Sequence, residues 1–206
     1  MENSSEFKWF IEYFSIFFVT LIIGTLIHEL GHYIVAVIYG VPAQISYAYT
    51  HYFGSLTEVQ RFWFLMGGPL SSWLVSTTGI IIILVKYKYM HKESEKSIGV
   101  GQSISIVGTS FSIRFIFNAG FYFINTTLGG ITSNADEAKI AQEFLGINPD
   151  ILMYGSAIIA LVFIIVALYY IPSHQRYIIL VGGIIGGILG YIFWNYWFGP
   201  IILPPP

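Results

Sequence analysis

The sequence contains no cysteine. That excludes disulfides, thiolate metal ligands and a cysteine nucleophile. Charge is scarce as well: Asp, Glu, Lys and Arg make up 10% of the chain, where a water-soluble domain carries about 25%. Aspartate occurs only at Asp136 and Asp150. The formal net charge of −2 gives no basis for nucleic-acid binding. Internal repeats and low-complexity segments are also absent. What is abundant is apolar: 55% of the residues are hydrophobic and the mean hydropathy is +0.71. With 206 residues, these features indicate one domain, 1–206, in an all-α polytopic membrane protein.

Five apolar stretches are long enough to cross a bilayer, for which about 20 residues suffice. They run from Trp9 to Ile38, Phe62 to Val85, Val100 to Ile124, Ile151 to Ile171 and Tyr177 to Phe198. Pro172 is expected to end the fourth, and Gly199 with Pro200 the fifth. The N-terminal stretch follows MENSSEFK, which is as acidic as it is basic, and so reads as a retained anchor rather than a cleaved signal. Between the first two stretches, QISYAYTHYFGSL predicts a short β-ribbon over 44–56, with Gly54 offering a turn. The segment SNADEAKIAQEFLG predicts a short amphipathic helix capped by Ser133 or Asn134. With five crossings, Lys8, Lys86, Lys88, Lys92, Lys96 and Arg176 share one side, and Arg61 and Lys139 the other. The excess of positive charge places the N-terminus in the cytosol. HKESEKS, including His91, reads as a solvated loop rather than a source of ligands.

The chemistry is concentrated in HELGH, residues 28–32. On a helix, positions i and i+4 share a face, so His28 and His32 can grip one metal ion. Glu29 then stands beside the ion, free to act as general base toward water. The setting adds weight to the motif. An ionisable group inside a membrane span costs about 2.5–3.5 kcal/mol on insertion scales. Three such groups within five residues, flanked by LIIGTLI and YIVAVIY, need a compensating cation. Zinc at a catalytic site normally has three protein ligands. Asp136, Asp150, Glu137, Glu143 and His51 are the candidates for the third. Asp136 has an ordinary reading too, as an acid in the first turn of a helix.

HELGH in the first hydrophobic stretch, a Gly-Pro element in the second (GGPLSS, Gly67 to Ser72) and an aspartate far downstream resemble the site-2 protease family of intramembrane metallopeptidases. The resemblance covers roughly residues 16–146. It implies zinc held by His28, His32 and Asp136, Glu29 as the catalytic acid/base, and β-strands after the HExxH helix that guide an extended substrate. The chain departs from the family in three respects. Asp136 is followed by Glu137 rather than glycine, with no proline nearby. Serine, Ser71 or Ser72, replaces the asparagine expected after Gly-Pro. The charge count opens the site outward rather than toward the cytosol.

Arg114, inside the third stretch, must be paired or reach water. It reads first as a structural ion pair or a snorkelling side chain, and second as a contact for a substrate oxyanion or carboxylate. Asn118 and Asn125 could hydrogen-bond a substrate backbone or simply join helices. Gly182, Gly186 and Gly190, with Gly183 and Gly187, strip one helix face for close packing, within the monomer or between copies. Trp194 and Trp197 suit an interfacial belt. Together these readings predict an intramembrane zinc metalloprotease, with a membrane protein or peptide as substrate and the lipid bilayer as surroundings. One rival is a zinc peptidase with a glutamate third ligand acting on surface peptides. The other is a zinc-binding membrane protein that regulates, transports or confers immunity without proteolysis.

Overall fold

The computed structural model describes residues 2–86, 100–129 and 135–206. It is mainly helical, with one small sheet. Helix α1 spans Glu2–Ile38, and strands β1 (Ala43–Ile45) and β2 (Thr50–Tyr52) follow. Helices α2 (Glu58–Lys86), α3 (Val100–Ser110), α4 (Ile113–Thr127) and α5 (Asp136–Lys139) come next. A π-helical segment at Ile140–Leu145 extends α5 and ends at Gly146, whose φ of 61° closes it in the left-handed conformation. Helix α6 spans Pro149–Tyr169 and α7 Ser173–Phe193; a second π-helical segment, Trp194–Phe198, leads into α8, Gly199–Ile202.

Among the described residues four helices are long and apolar enough to cross a membrane: Glu6–Ile38, Glu58–Lys86, Pro149–Tyr169 and Ser173–Ile202. The third of the five stretches read from the sequence is not among them, because it divides at Phe111 and Ser112 into α3 and α4. Hydroxyl groups cluster at the break. The Oγ atoms of Thr109, Ser110 and Ser112 donate to the carbonyls of Ser105, Val107 and Thr109. Such local bonds compete with the helical ladder. The fifth stretch departs in the opposite direction. Gly199 and Pro200 do not stop it; the π-helical turn widens the backbone just before Pro200, which takes a first-turn position in α8 where its missing N–H costs little.

The bundle buries hydroxyl residues among its apolar core and exposes large apolar side chains. Ser72, Ser76, Ser105, Thr109 and Ser112 are fully buried, whereas Leu74, Val85, Ile158 and Ile184 lie on the surface. Helix α1 packs chiefly against α7 and α2, α3 against α2, and α4 against α6. The glycine stripe of α7 is taken up by α1. A Cβ at Gly186 would overlap the Phe14 carbonyl and come within 3.1 Å of the Phe14 Cα. At Gly190 it would come within 2.6 Å of the Phe18 carbonyl oxygen. The stripe therefore serves packing within the chain.

The ribbon is antiparallel, with Ala43 opposite Tyr52, Gln44 opposite His51 and Ile45 opposite Thr50. Its turn is made by Ser46, not Gly54: Ser46 N–H and Oγ both bond the Tyr49 carbonyl, at 2.9 and 2.7 Å. The tip is tied to the far end of the chain. Trp194 Nε1 donates to the Tyr47 carbonyl at 2.7 Å, and Tyr47 N–H donates to the Leu203 carbonyl at 3.0 Å. The cap expected from Ser133 or Asn134 lies outside the described residues; the N-cap position of α5 is Ala135, which makes no side-chain cap.

The α1–α7 contact generates a contrast. Gly186→Leu should destabilise the protein by about 1–3 kcal/mol, the usual range for overpacking. Nothing lies within 4 Å of a Cβ at Gly187, so Gly187→Ala should leave stability unchanged or slightly raised. Thermal unfolding in detergent, followed by circular dichroism, measures both.

Candidate metal centre

The site lies where α1 crosses α2. A Cβ at Gly31 would overlap the Gly67 carbonyl, and one at Gly67 would sit 2.5 Å from the Gly31 carbonyl oxygen. Only two glycines permit this approach. Ser71 Oγ sits at the crossing, 3.0 Å from the Ile27 carbonyl of α1 and 2.7 Å from the Gly68 carbonyl of α2. The glycine of HELGH and the first glycine of GGPLSS thus form one junction.

The junction aims both histidines at α2. His32 Nδ1 lies 2.6 Å from the Phe64 carbonyl oxygen. That oxygen can only accept, so Nδ1 carries the proton and Nε2 presents a lone pair. His28 Nδ1 lies 3.2 Å from Ser72 Oγ. The two Nε2 atoms are 3.2 Å apart. Asp136, the first residue of α5, brings Oδ2 to 3.0 Å from His28 Nε2 and 3.2 Å from His32 Nε2.

Glu29 is buried beside this triangle. Its Oε2 is 3.2 Å from Thr50 Oγ, which is also 2.8 Å from the Glu29 backbone carbonyl. Thr50 belongs to β2, so the ribbon fixes Glu29, and the ties from Tyr47 to Trp194 and Leu203 fix the ribbon. His28, Glu29 and His32 have ligand atoms within 4.8 Å of one another and could hold a metal ion. Asp136 Oδ2 is the oxygen that lies between both imidazole nitrogens, whereas Glu29 is engaged with Thr50. The space for an ion is kept by Gly68: a methyl there would overlap the Nε2 atoms of both histidines.

Of the other candidate ligands, Glu143 and Asp150 are engaged elsewhere, His51 is exposed, and Glu137 is buried beside Asp136 with neither carboxylate oxygen hydrogen-bonded among the described residues. Glu143 pairs with Arg61 at 2.7 Å. Asp150 accepts from Tyr122 at 2.8 Å and from Asn148 at the start of α6. His51 is exposed on the ribbon, its ring edge-on to Phe53. Glu137 is buried, and burial followed by the Asp136 charge raises its pKa. His91 lies outside the described residues. Asn125 is exposed.

A cavity of about 660 Å³ opens onto Glu29, His32 and Asp136. Arg114 and Asn118, one turn apart on α4, line it, as do Thr50 and Tyr52. Among the described residues no ion pair within 4.0 Å includes Arg114, although its charge acts on the nearby Glu29 and Glu137. Sequence reasoning did not reach Thr50, the Phe64 carbonyl or the role of Gly68. Ser72 was marked only as a replacement for asparagine. Its position four residues beyond Gly68, on the same helix face, is the signal that tied it to the histidines.

No protein-family model matches the chain, and no curated protein or solved structure is significantly similar to it.

Gly68→Ala should abolish metal uptake while leaving helix content unchanged, because the added methyl occupies the space between the imidazoles. Ser72→Ala should weaken metal affinity about 10–100-fold, as is usual when the partner of a ligating histidine is removed. Metal analysis after equilibrium dialysis, with circular dichroism in parallel, tests both.

Proposed function

We propose that this chain is an integral-membrane zinc metallopeptidase, similar in chemistry to the site-2 proteases, that cleaves a peptide bond in or near a membrane-spanning segment. The observation that carries the reading is the triangle of His28 Nε2, His32 Nε2 and Asp136 Oδ2, with edges of 3.0–3.2 Å, buried beside Glu29. Zinc bonds to imidazole and carboxylate at roughly 2.0–2.2 Å, which for a tetrahedron gives edges of about 3.3–3.6 Å. The donor set, its spacing and the clearance at Gly68 therefore suit zinc with a position left for water. Three acceptor atoms facing one point also repel one another unless a cation lies among them.

The large apolar side chains exposed on the bundle and its apolar helices support insertion in a bilayer. Taking α3 and α4 together as one broken crossing retains the arrangement of five crossings with a cytosolic N-terminus. A broken segment is tolerated at membrane depth where it lines a cavity, and α4 lines the cavity at the metal centre.

Zinc held there would supply Lewis acidity, activating water and polarising the peptide carbonyl. The residues of the chain do the rest. Glu29 takes the proton from the attacking water on its carboxylate and passes it to the leaving amine. Thr50 holds Glu29 Oε2 in place. Phe64 and Ser72 orient the imidazoles. Arg114 and Asn118 offer donors to the substrate from the opposite wall. A helical substrate must unwind to expose its carbonyl, and each strand of the two-stranded ribbon leaves an edge to which an extended segment can add, which would replace the lost bonds.

The test uses zinc-loaded protein in liposomes with a mixture of transmembrane peptides, and cleavage read by mass spectrometry. Glu29→Gln should keep zinc and lose about 10²–10⁴-fold in rate, the usual contribution of a general base. Asp136→Asn should lose zinc, and Glu143→Gln should keep both zinc and activity. Undiminished cleavage by Glu29→Gln would remove the peptidase reading, and zinc loss confined to Glu143→Gln would reassign the third ligand.

A further inference from the structure

A second cavity, about 410 Å³, lies on the far side of Arg114 and Asn118. Its walls are mostly apolar and come from α1, α4 and α7, including Phe17, Leu21, Phe111, Phe117 and Ile188. Four residues line both cavities: Ala48, Arg114, Asn118 and Phe121. The metal centre therefore adjoins an apolar chamber across a boundary that carries one cation. Of the acids near Arg114, two are engaged by other groups, and the third, Glu137, is buried within reach of the Arg114 charge but forms no ion pair with it. Asp136 lies on His28 and His32, and Glu29 on Thr50. Arg114 has no ion-pair partner among the described residues, and its Nε is buried with no hydrogen-bond partner.

Arg114 is half-buried, lines both cavities and has no ion pair among the described residues, so its guanidinium is open to a charge-assisted pair with an incoming carboxylate. An apolar chamber next to it favours a large apolar side chain, which gains by leaving water. The two features are adjacent, so one ligand should satisfy both. From this geometry we infer that Arg114 and the chamber behind it form a specificity subsite for a peptide bearing a carboxylate next to a bulky apolar residue. The carboxylate pairs with Arg114, Asn118 holds the peptide backbone, and the apolar side chain enters the chamber. The inference rests on the metallopeptidase reading and adds to it a substrate class: segments that join an acidic group to an apolar run, as at the end of a membrane-spanning helix.

Gly187 offers a way to alter the chamber alone. It lines the chamber, and a Cβ there has nothing within 4 Å. Gly187→Leu should therefore fill the chamber without disturbing the helix contacts or the metal ligands.

The experiment measures binding of fluorescent peptidyl hydroxamates to the zinc-loaded full chain in detergent by polarisation. The probes carry Asp or Asn at the first, second or third residue from the hydroxamate, with Leu or Ala beside it. Each is made with a free or an amidated C-terminus, which separates a side-chain carboxylate from a terminal one. The same peptides without the hydroxamate are measured on protein stripped of metal. The best probe with a carboxylate and Leu should bind at least tenfold more tightly than its Asn or amidated counterpart. Arg114→Gln should abolish that preference and Arg114→Lys should restore part of it. Gly187→Leu should remove the preference for Leu over Ala and keep the preference for the carboxylate. If every hydroxamate binds equally well, or Arg114→Gln keeps the carboxylate preference, the subsite is refuted while the metal reading stands. If no hydroxamate gains affinity from zinc, the metal reading fails. The plain peptides then decide the subsite alone: a retained carboxylate preference that needs Arg114 supports it, and equal binding overturns it.

Discussion

The contact between Gly31 and Gly67 is the constraint on which the site depends. Two helices that meet backbone to backbone leave no room for side chains at the crossing, so the residues that flank it, adjacent in sequence or about a turn away, are brought close to the opposite helix. On α1 those residues are His28 and His32. On α2 they are Phe64, Gly68 and Ser72, which supply a carbonyl acceptor, a gap and a hydroxyl. HELGH and GGPLSS are therefore two halves of one structure: the first carries the imidazoles, and the second fixes their rotation and leaves space between them.

Around that crossing the fold separates two kinds of surface. Large aliphatic side chains cover much of the outer surface, and serine, threonine and glycine lie among the apolar residues of the interior. Small residues allow close helix packing, and several of the hydroxyls donate to nearby carbonyls. Into this interior the chain places His28, Glu29 and His32, with Asp136 partly buried against them. Groups of that kind inside an apolar bundle are rare unless they pair or bind an ion. Asp136 comes from a short helix rather than from the long ones, and the remote anchoring of the ribbon by Trp194 and Leu203 places Thr50 on Glu29. Elements that contribute little to the core thus complete the centre.

How much of this was legible in the chain depends on the range of each interaction. His28, Glu29 and His32 were readable because their relation is fixed by one helical turn. The all-helical class and the ribbon followed from composition and local pattern. Asp136 emerged by elimination and by resemblance, because nothing local says that a residue 104 positions beyond His32 will return to it. Thr50 was not readable: its value lies in where the ribbon docks, and the docking depends on Tyr47 and Trp194, 147 residues apart. The division of the third stretch coincides with a local cluster of hydroxyls on Thr109, Ser110 and Ser112, which a count of apolar residues passes over. The glycine stripe on α7 was visible, but its partner, the phenylalanine ridge of α1, was set only by the tertiary fold.

The central claim is that a single zinc ion is held by two imidazoles and one carboxylate with an open position. X-ray absorption at the zinc edge, recorded on the stoichiometrically loaded full chain, tests it most directly. The account predicts four-coordinate zinc with two imidazole scatterers and two oxygens at about 2.0–2.1 Å. One of those oxygens should be exchangeable for a hydroxamate and the other should be absent from Asp136→Asn. Six-coordinate zinc surrounded by water oxygens without imidazole scattering, or failure of the chain to retain zinc at all, would contradict it.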